Sequence, residues 1–106
     1  MKILFDQGTP VPLRRALPSG SVTTVYEQGW PTLQNGELLA AAEQAGCDIF
    51  VTTDQNLKYQ QQLTGRQMAI LVLGSTSWPR IQQHSAAIWH VIEQLTPGSY
   101  DEFPIP

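Results

Sequence analysis

Cysteine is almost missing: Cys47 stands alone in 106 residues, so no disulfide closes within the chain and no thiolate zinc site can form. That suits a reducing compartment, and Cys47 itself reads as a small buried hydrophobe. Charge is scarce too. Six Lys and Arg against nine Asp and Glu make 14% of the chain, where soluble domains average about 25%. A net charge of −3 supplies no basic stripe to hold duplex nucleic acid by phosphate neutralisation; a brief contact with a phosphodiester through a bound metal stays open. Long apolar runs are absent as well. The longest, Met68 to Leu73, is about a third of a membrane span, and Ile3-Leu4-Phe5 is far too short for a signal-peptide core. The expectation is a cytoplasmic protein with no membrane segment, built as one domain. Its polar surface must come largely from twelve glutamines with Ser, Thr and Asn, so each carboxylate can be weighed individually.

What is present is an alternation of two hydrophobic periods. Ile3-Leu4-Phe5 reads as a buried strand ending at Asp6-Gln7-Gly8. Pro10 to Leu17 reads as a short helix closed by Pro18 and Gly20, and Ser21 to Tyr26 as a second strand. After a loop containing Trp30, a helix starts with Asn35 as N-cap, carries Glu37 in its first turn and stops at Gly46. Asp48 to Thr53 is the third strand, Gln55 to Leu63 a helix, Thr64-Gly65-Arg66 a turn and Met68 to Leu73 the fourth strand. Arg80 to Leu95 places Ile81, Ile88, Ile92 and Leu95 on one side of an amphipathic helix. Residues 1–95 thus form the domain, and 96–106, with three prolines and no periodicity, a C-terminal tail. The order βαβαβαβα predicts an α/β fold: a three-layer α/β/α sandwich around a mostly parallel four-stranded sheet of order 2-1-3-4.

In such a sheet all strands end at one edge, and ligands bind there at the switch in strand order. Asp6 ends the first strand, Asp54 ends the third, and Glu37 opens the helix after the second. Strands one and three would lie side by side, so Asp6 and Asp54 would flank the switch. Carboxylates at ~4 Å in an effective dielectric of ~20 repel by about 4 kcal/mol per pair. A cation between them would relieve this, and hard oxygen ligands suit Mg²⁺ or Mn²⁺. Each acid also has a structural role open to it: Asp54 as cap of the next helix, Asp6 as the turn residue of Asp6-Gln7-Gly8, Glu37 as a complement to its helix dipole.

Ile3-Leu4-Phe5-Asp6, Gly36-Glu37-Leu38-Leu39 and Val51-Thr52-Thr53-Asp54-Gln55-Asn56-Leu57 together resemble the PIN-like nuclease families, in particular small single-domain bacterial proteins related to toxin-antitoxin ribonucleases. The resemblance spans about residues 1–95. It implies a Mg²⁺- or Mn²⁺-dependent endoribonuclease acting on single-stranded RNA by phosphodiester hydrolysis. Asp6, Glu37 and Asp54 would be the metal ligands and catalytic groups. An antitoxin protein is the partner such a toxin would have; self-association stays open. Two positions depart from the pattern: relatives often carry an acid where this chain has Asn35, and a second acid where it has Asn56. A weakened PIN-like binding module, acting through a protein partner or RNA, is the alternative these departures raise.

Supporting residues at the same edge are Asn35, Asn56, Gln7, Glu27, Thr53 and Lys58, with Glu27 near the end of strand two as an extra ligand or a solvated acid. Thr9, Gln55, Ser75 and Thr76 fall on loops there and can hydrogen-bond phosphate or simply shape turns. Lys58, one turn past Asp54, is the best placed of the scattered cations Arg14, Arg15, Lys58, Arg66 and Arg80 for a phosphate contact. Trp30 and Trp78 either stack unpaired bases or pack against the neighbouring helices. His84 and His90, six apart, do not share a helix face. A third reading is a receiver-like phosphoacceptor with Asp54 as acceptor and Ser75-Thr76 after strand four. It lacks paired acids after strand one and a lysine after a fifth strand.

Overall fold

The computed structural model describes residues 1–17, 21–57 and 66–106. Five parallel strands form one sheet in the order β2-β1-β3-β4-β5: β1 is Lys2–Phe5, β2 Ser21–Thr24, β3 Ile49–Thr52, β4 Ala69–Leu73 and β5 Tyr100–Phe103. A 3-10 helix covers Val11–Ala16, α1 is Asn35–Gln44, α2 Trp78–Gln82 and α3 Ser85–Gln94. Every residue of β3 and β4 is buried, as expected for parallel strands covered on both faces. Successive side chains go to opposite layers. Ile3, Phe5, Ile49, Val51, Leu71 and Leu73 meet Leu13 of the 3-10 helix with Ile81, Ile88 and Ile92 of α2 and α3. Leu4, Phe50, Ile70 and Val72 meet Leu38, Leu39 and Ala42 of α1 on the other side. This is a three-layer α/β/α sandwich.

The fold class and the order of the first four strands match the sequence expectation. Residues 96–106 do not form a tail outside the sheet: they supply β5, which pairs with β4 in the register Ile70↔Tyr100 to Leu73↔Phe103. The strand escapes a periodicity search because it lies at an edge. Asp101 and Glu102 are exposed, a charged edge that discourages further pairing, and only Tyr100 and Phe103 lean into the cores. Two backbone features dock it. Gly98 turns with φ +81 so close to Arg66 that a Cβ would lie 2.5 Å from its carbonyl oxygen. Beyond β5, Ile105 is buried at 8% exposure in the α2/α3 layer.

The connection from β4 to β5 is unusual. The 3-10 helix joins β1 to β2 leftward across one face, and α1 joins β2 to β3 rightward across the other, so these two crossovers share one hand. The β4–β5 crossover runs rightward through α2 and α3 on the face of the 3-10 helix, giving it the opposite hand to these two, where parallel sheets generally keep one hand throughout.

Two local expectations are corrected. The helix expected over 80–95 is two helices broken at Gln83-His84, where His84 N donates to Ile81 O instead of continuing the ladder. Asn35 is not the N-cap of α1: Gln34 is, and its side chain makes no capping bond. The short helix expected over Pro10 to Leu17 is present, as a 3-10 helix over Val11–Ala16. The helix end expected at Pro18 to Gly20 lies outside the described residues. So do Lys58 to Leu63 of the expected helix over 55–63, and Thr64-Gly65 of the turn that follows.

Candidate functional site

The carboxyl edge of the sheet is organised around Asp6. Its backbone N–H donates to Val51 O, locking the end of β1 to β3. Its side chain then accepts from three donors. Gly8 N–H (3.1 Å) and the Thr9 hydroxyl (2.9 Å) donate to Oδ1, and the Thr52 hydroxyl makes a short bond to Oδ2. Thr9 Oγ1 also lies 3.0 Å from Val51 O; with one proton for two acceptors, it serves only one at a time. Burial raises the Asp6 carboxyl above its ordinary value, opposed by the hydroxyls of Thr52 and Thr9 and by the backbone N–H groups of Gly8 and Thr9. A side-chain oxygen accepting from an N–H two residues on is the Asx turn. Gly8 lies close to the next strand end: a Cβ there would meet Thr53 Oγ1 at 2.4 Å, so the Thr53 hydroxyl would have to shift.

Asp54 follows β3 and is tied to the same group. Its N–H donates to Thr52 Oγ1 at 3.1 Å, and its Oδ1 accepts from Asn56 N–H at 2.9 Å. Thr52, only 1% exposed, therefore stands between the two aspartates, donating to the side chain of one and accepting from the backbone of the other. Gln55 braces the loop from the opposite side, its amide donating to Thr53 O and Leu73 O. Asn56 itself is exposed and lines, with Gln55, Gly74 and Glu102, a cavity of about 660 Å³ at the β4–β5 end of the edge.

Glu37 sits in the first turn of α1 and is exposed; Asn35, half-buried, begins the same helix. Among the described residues no three Asp, Glu, His or Cys side chains gather closely enough to hold a metal ion between them. Mg²⁺ needs fewer protein ligands than that, being held by one or two carboxylates with water and substrate phosphate completing its octahedron. Asp6 keeps one lone pair of Oδ2 beyond the Thr52 bond, and no donor meets Asp54 Oδ2 among the described residues. Two carboxylates with open lone pairs at adjacent strand ends are the hard-oxygen chemistry that such an ion takes.

Glu27 is engaged elsewhere. Its carboxylate takes two N–H groups of Arg14, at 2.7 and 3.3 Å, and the backbone N–H of Thr24 at 3.0 Å. Arg14 first, then Thr24, hold its carboxyl below the ordinary value. In return Glu27 N–H donates to Thr24 Oγ1 at 3.0 Å. Thr24-Val25-Tyr26-Glu27 is therefore a reciprocal capping box, legible in the sequence as Thr-x-x-Glu. Gln7 is exposed, its amide donating to Pro31 O. Ser75 Oγ accepts from Ser77 N–H. Trp30 and Trp78 are half-buried and pack against the two cores. Among the described residues, the aromatic side chain left in water is Tyr26, 77% exposed, which composition and motif did not single out. Asp48 and Glu43 are bound away from the site, accepting from Lys2 N–H and from Arg66 respectively. Lys58 lies outside the described residues.

Comparison of the chain with protein-family models, with curated proteins and with solved structures gives no match. No helix among the described residues is long and apolar enough to cross a membrane.

Proposed function

We propose that this chain is a PIN-like, divalent-metal-dependent endoribonuclease of the cytoplasm. The observation that carries the reading is the placement of Asp6 and Asp54 at neighbouring strand ends on either side of Thr52, at the point where the sheet order reverses. Ligand sites of open α/β sheets form there. Asp6 and Asp54 would hold Mg²⁺ or Mn²⁺, with Glu37 adding negative charge at the same edge. When bound, such an ion activates a water and stabilises the leaving oxygen in phosphodiester cleavage. The chain's own contribution is positioning: Gly8, Thr9 and Thr52 fix the Asp6 carboxylate so that no reorientation is needed on binding. Single-stranded RNA is the substrate in this reading. An antitoxin protein or a second copy would be its protein partner, and the lone buried thiol of Cys47 suits the reducing cytoplasm.

One observation favours a second reading, a PIN-like binding module with weakened catalysis. Three protein donors already serve the Asp6 carboxylate, and Asn35 and Asn56 are neutral where acids would tighten a metal. The receiver-like reading gains a fifth strand, yet Pro104-Ile105-Pro106 after β5 offers no lysine.

The deciding experiment is calorimetric titration of Mn²⁺ into the wild type, Asp6→Asn and Asp54→Asn, alongside cleavage of single-stranded RNA. The nuclease reading expects binding and cleavage in the wild type and loss of both in each variant. Binding that survives both substitutions would refute the site. Metal binding without cleavage favours the binding module.

A further inference from the structure

Among the described residues, three large apolar side chains are strongly exposed: Met1, Val11 and Tyr26. Two of them, Val11 at 52% and Tyr26 at 77% exposure, line one cavity of about 340 Å³, which also has the carboxylate-bearing Asp6, Gln7, Thr9 and Thr24 in its wall. The cavity is held firmly from behind. The capping box between Thr24 and Glu27 fixes the turn that presents Tyr26. Arg14, from the same 3-10 helix as Val11, clamps Glu27 through two N–H groups. Buried Val25 anchors the turn in the core. A rotor with two χ angles on a braced turn loses little entropy on contact, and the exposed ring offers its face for stacking.

The lining narrows what that partner is. It contains no Lys, Arg or His, so the Tyr26 and Val11 end of the cavity offers no cation to a phosphate. Two apolar side chains fall far short of the roughly 800 Å² per partner that a stable protein interface buries. A planar ring with hydrogen-bonding edges satisfies both the aromatic and aliphatic walls and the polar side chains between them.

We propose that the slot between Tyr26 and Val11 binds one unpaired nucleobase, stacked on the Tyr26 ring, beside the phosphate presented to Asp6. The substrate class rests on the ribonuclease reading; the slot itself does not require cleavage. Stacking on a protein aromatic is tolerant of sequence, so this site would position RNA without selecting one base strongly.

The test uses a short single-stranded RNA carrying 2-aminopurine, whose fluorescence falls on stacking, titrated with the full chain without divalent metal so that the strand stays intact. The wild type should quench it saturably. Tyr26→Ala should lose the quench and weaken binding by about 5- to 150-fold, while Tyr26→Phe and Tyr26→Trp retain both. Tyr26 is exposed, so an unchanged denaturation midpoint confirms that the alanine variant folds. Equal affinity and quench in Tyr26→Ala overturns the proposal, as does a wild type that does not bind the oligonucleotide. A dimer that Tyr26→Ala converts to monomer with RNA affinity unchanged also overturns it, identifying a self-contact instead. If Mn²⁺ supports no cleavage while the quench depends on Tyr26, the nuclease reading fails and the slot stands. If cleavage occurs and Tyr26→Ala alters neither KM nor quench, the slot fails and the nuclease stands.

Discussion

The Thr52 hydroxyl donates to Asp6 Oδ2 while accepting the backbone N–H of Asp54. One buried oxygen thereby couples the ends of β1 and β3, and neither aspartate can shift without disturbing the other's partner.

Thr52→Val keeps the volume and removes the hydroxyl. It leaves the Asp6 carboxylate one donor short and the Asp54 N–H without an acceptor. A hydrogen bond to a charged group contributes about 1.5–3 kcal/mol, so chemical denaturation at neutral pH should show a loss of about 2–3 kcal/mol. Thr52→Ser restores the oxygen and should cost about 1 kcal/mol, the value of one buried methyl. A Thr52→Val loss no larger than that of Thr52→Ser would show that the hydroxyl contributes no more than the methyl.

Asp6 and Glu27 pull the pH dependence of stability in opposite directions. Burial raises the Asp6 carboxyl in the folded state, so the folded protein binds that proton more tightly than the unfolded chain, and ionised Asp6 is a burden at neutral pH. Its contribution improves as pH falls through the raised value toward the ordinary one. Arg14 lowers Glu27, whose contribution is present above the ordinary Glu value and is lost as pH falls through the lowered one. Asp6→Asn should therefore have a higher urea midpoint than the wild type at neutral pH, with the gap closing on acidification. In this variant Glu27 acts without its counterweight, so stability should decline with acid more steeply than in the wild type. An Asp6→Asn midpoint below the wild type at neutral pH would mean that the three donors outweigh burial.

Ile105 tests whether β5 belongs to the core. Ile105→Ala removes a side chain buried in the α2/α3 layer and should cost about 2–4 kcal/mol. Ile105→Val should cost about 1 kcal/mol. Exposed Pro106 is the control: Pro106→Ala should leave the denaturation midpoint unchanged.

The first four strands were legible because each is a short apolar run interrupted by turn residues, and a parallel sheet buried on both faces demands that pattern. Asp6 and Asp54 were legible because strand ends are. The fifth strand was not: Tyr100-Asp101-Glu102-Phe103 has two exposed acids between two apolar residues, which reads as a polar tail until β4 supplies the partner. The break at Gln83-His84 was hidden by Ile81, Ile88 and Ile92, which share one layer across both helices. The bonding of Asp6 to Thr9 and Thr52 was out of reach as well, since it depends on how the Gly8 loop lies against Thr53. Glu27 is different. Thr24-Val25-Tyr26-Glu27 spells its own cap, and that spacing accounts for Glu27 without any metal.

Every pairing in the sheet is parallel, so no strand finds its neighbour through a local hairpin. β4, entirely apolar, stays open along one side until residues 100–105 have left the ribosome and α2 and α3 have folded back over the other face. During synthesis, the greasiest edge of the molecule is therefore the last to be covered. Nascent chains stalled before β5 would present a ready template for pairing with one another. For this protein, β5 decides whether β4 is paired within its own chain or left open to a neighbouring copy.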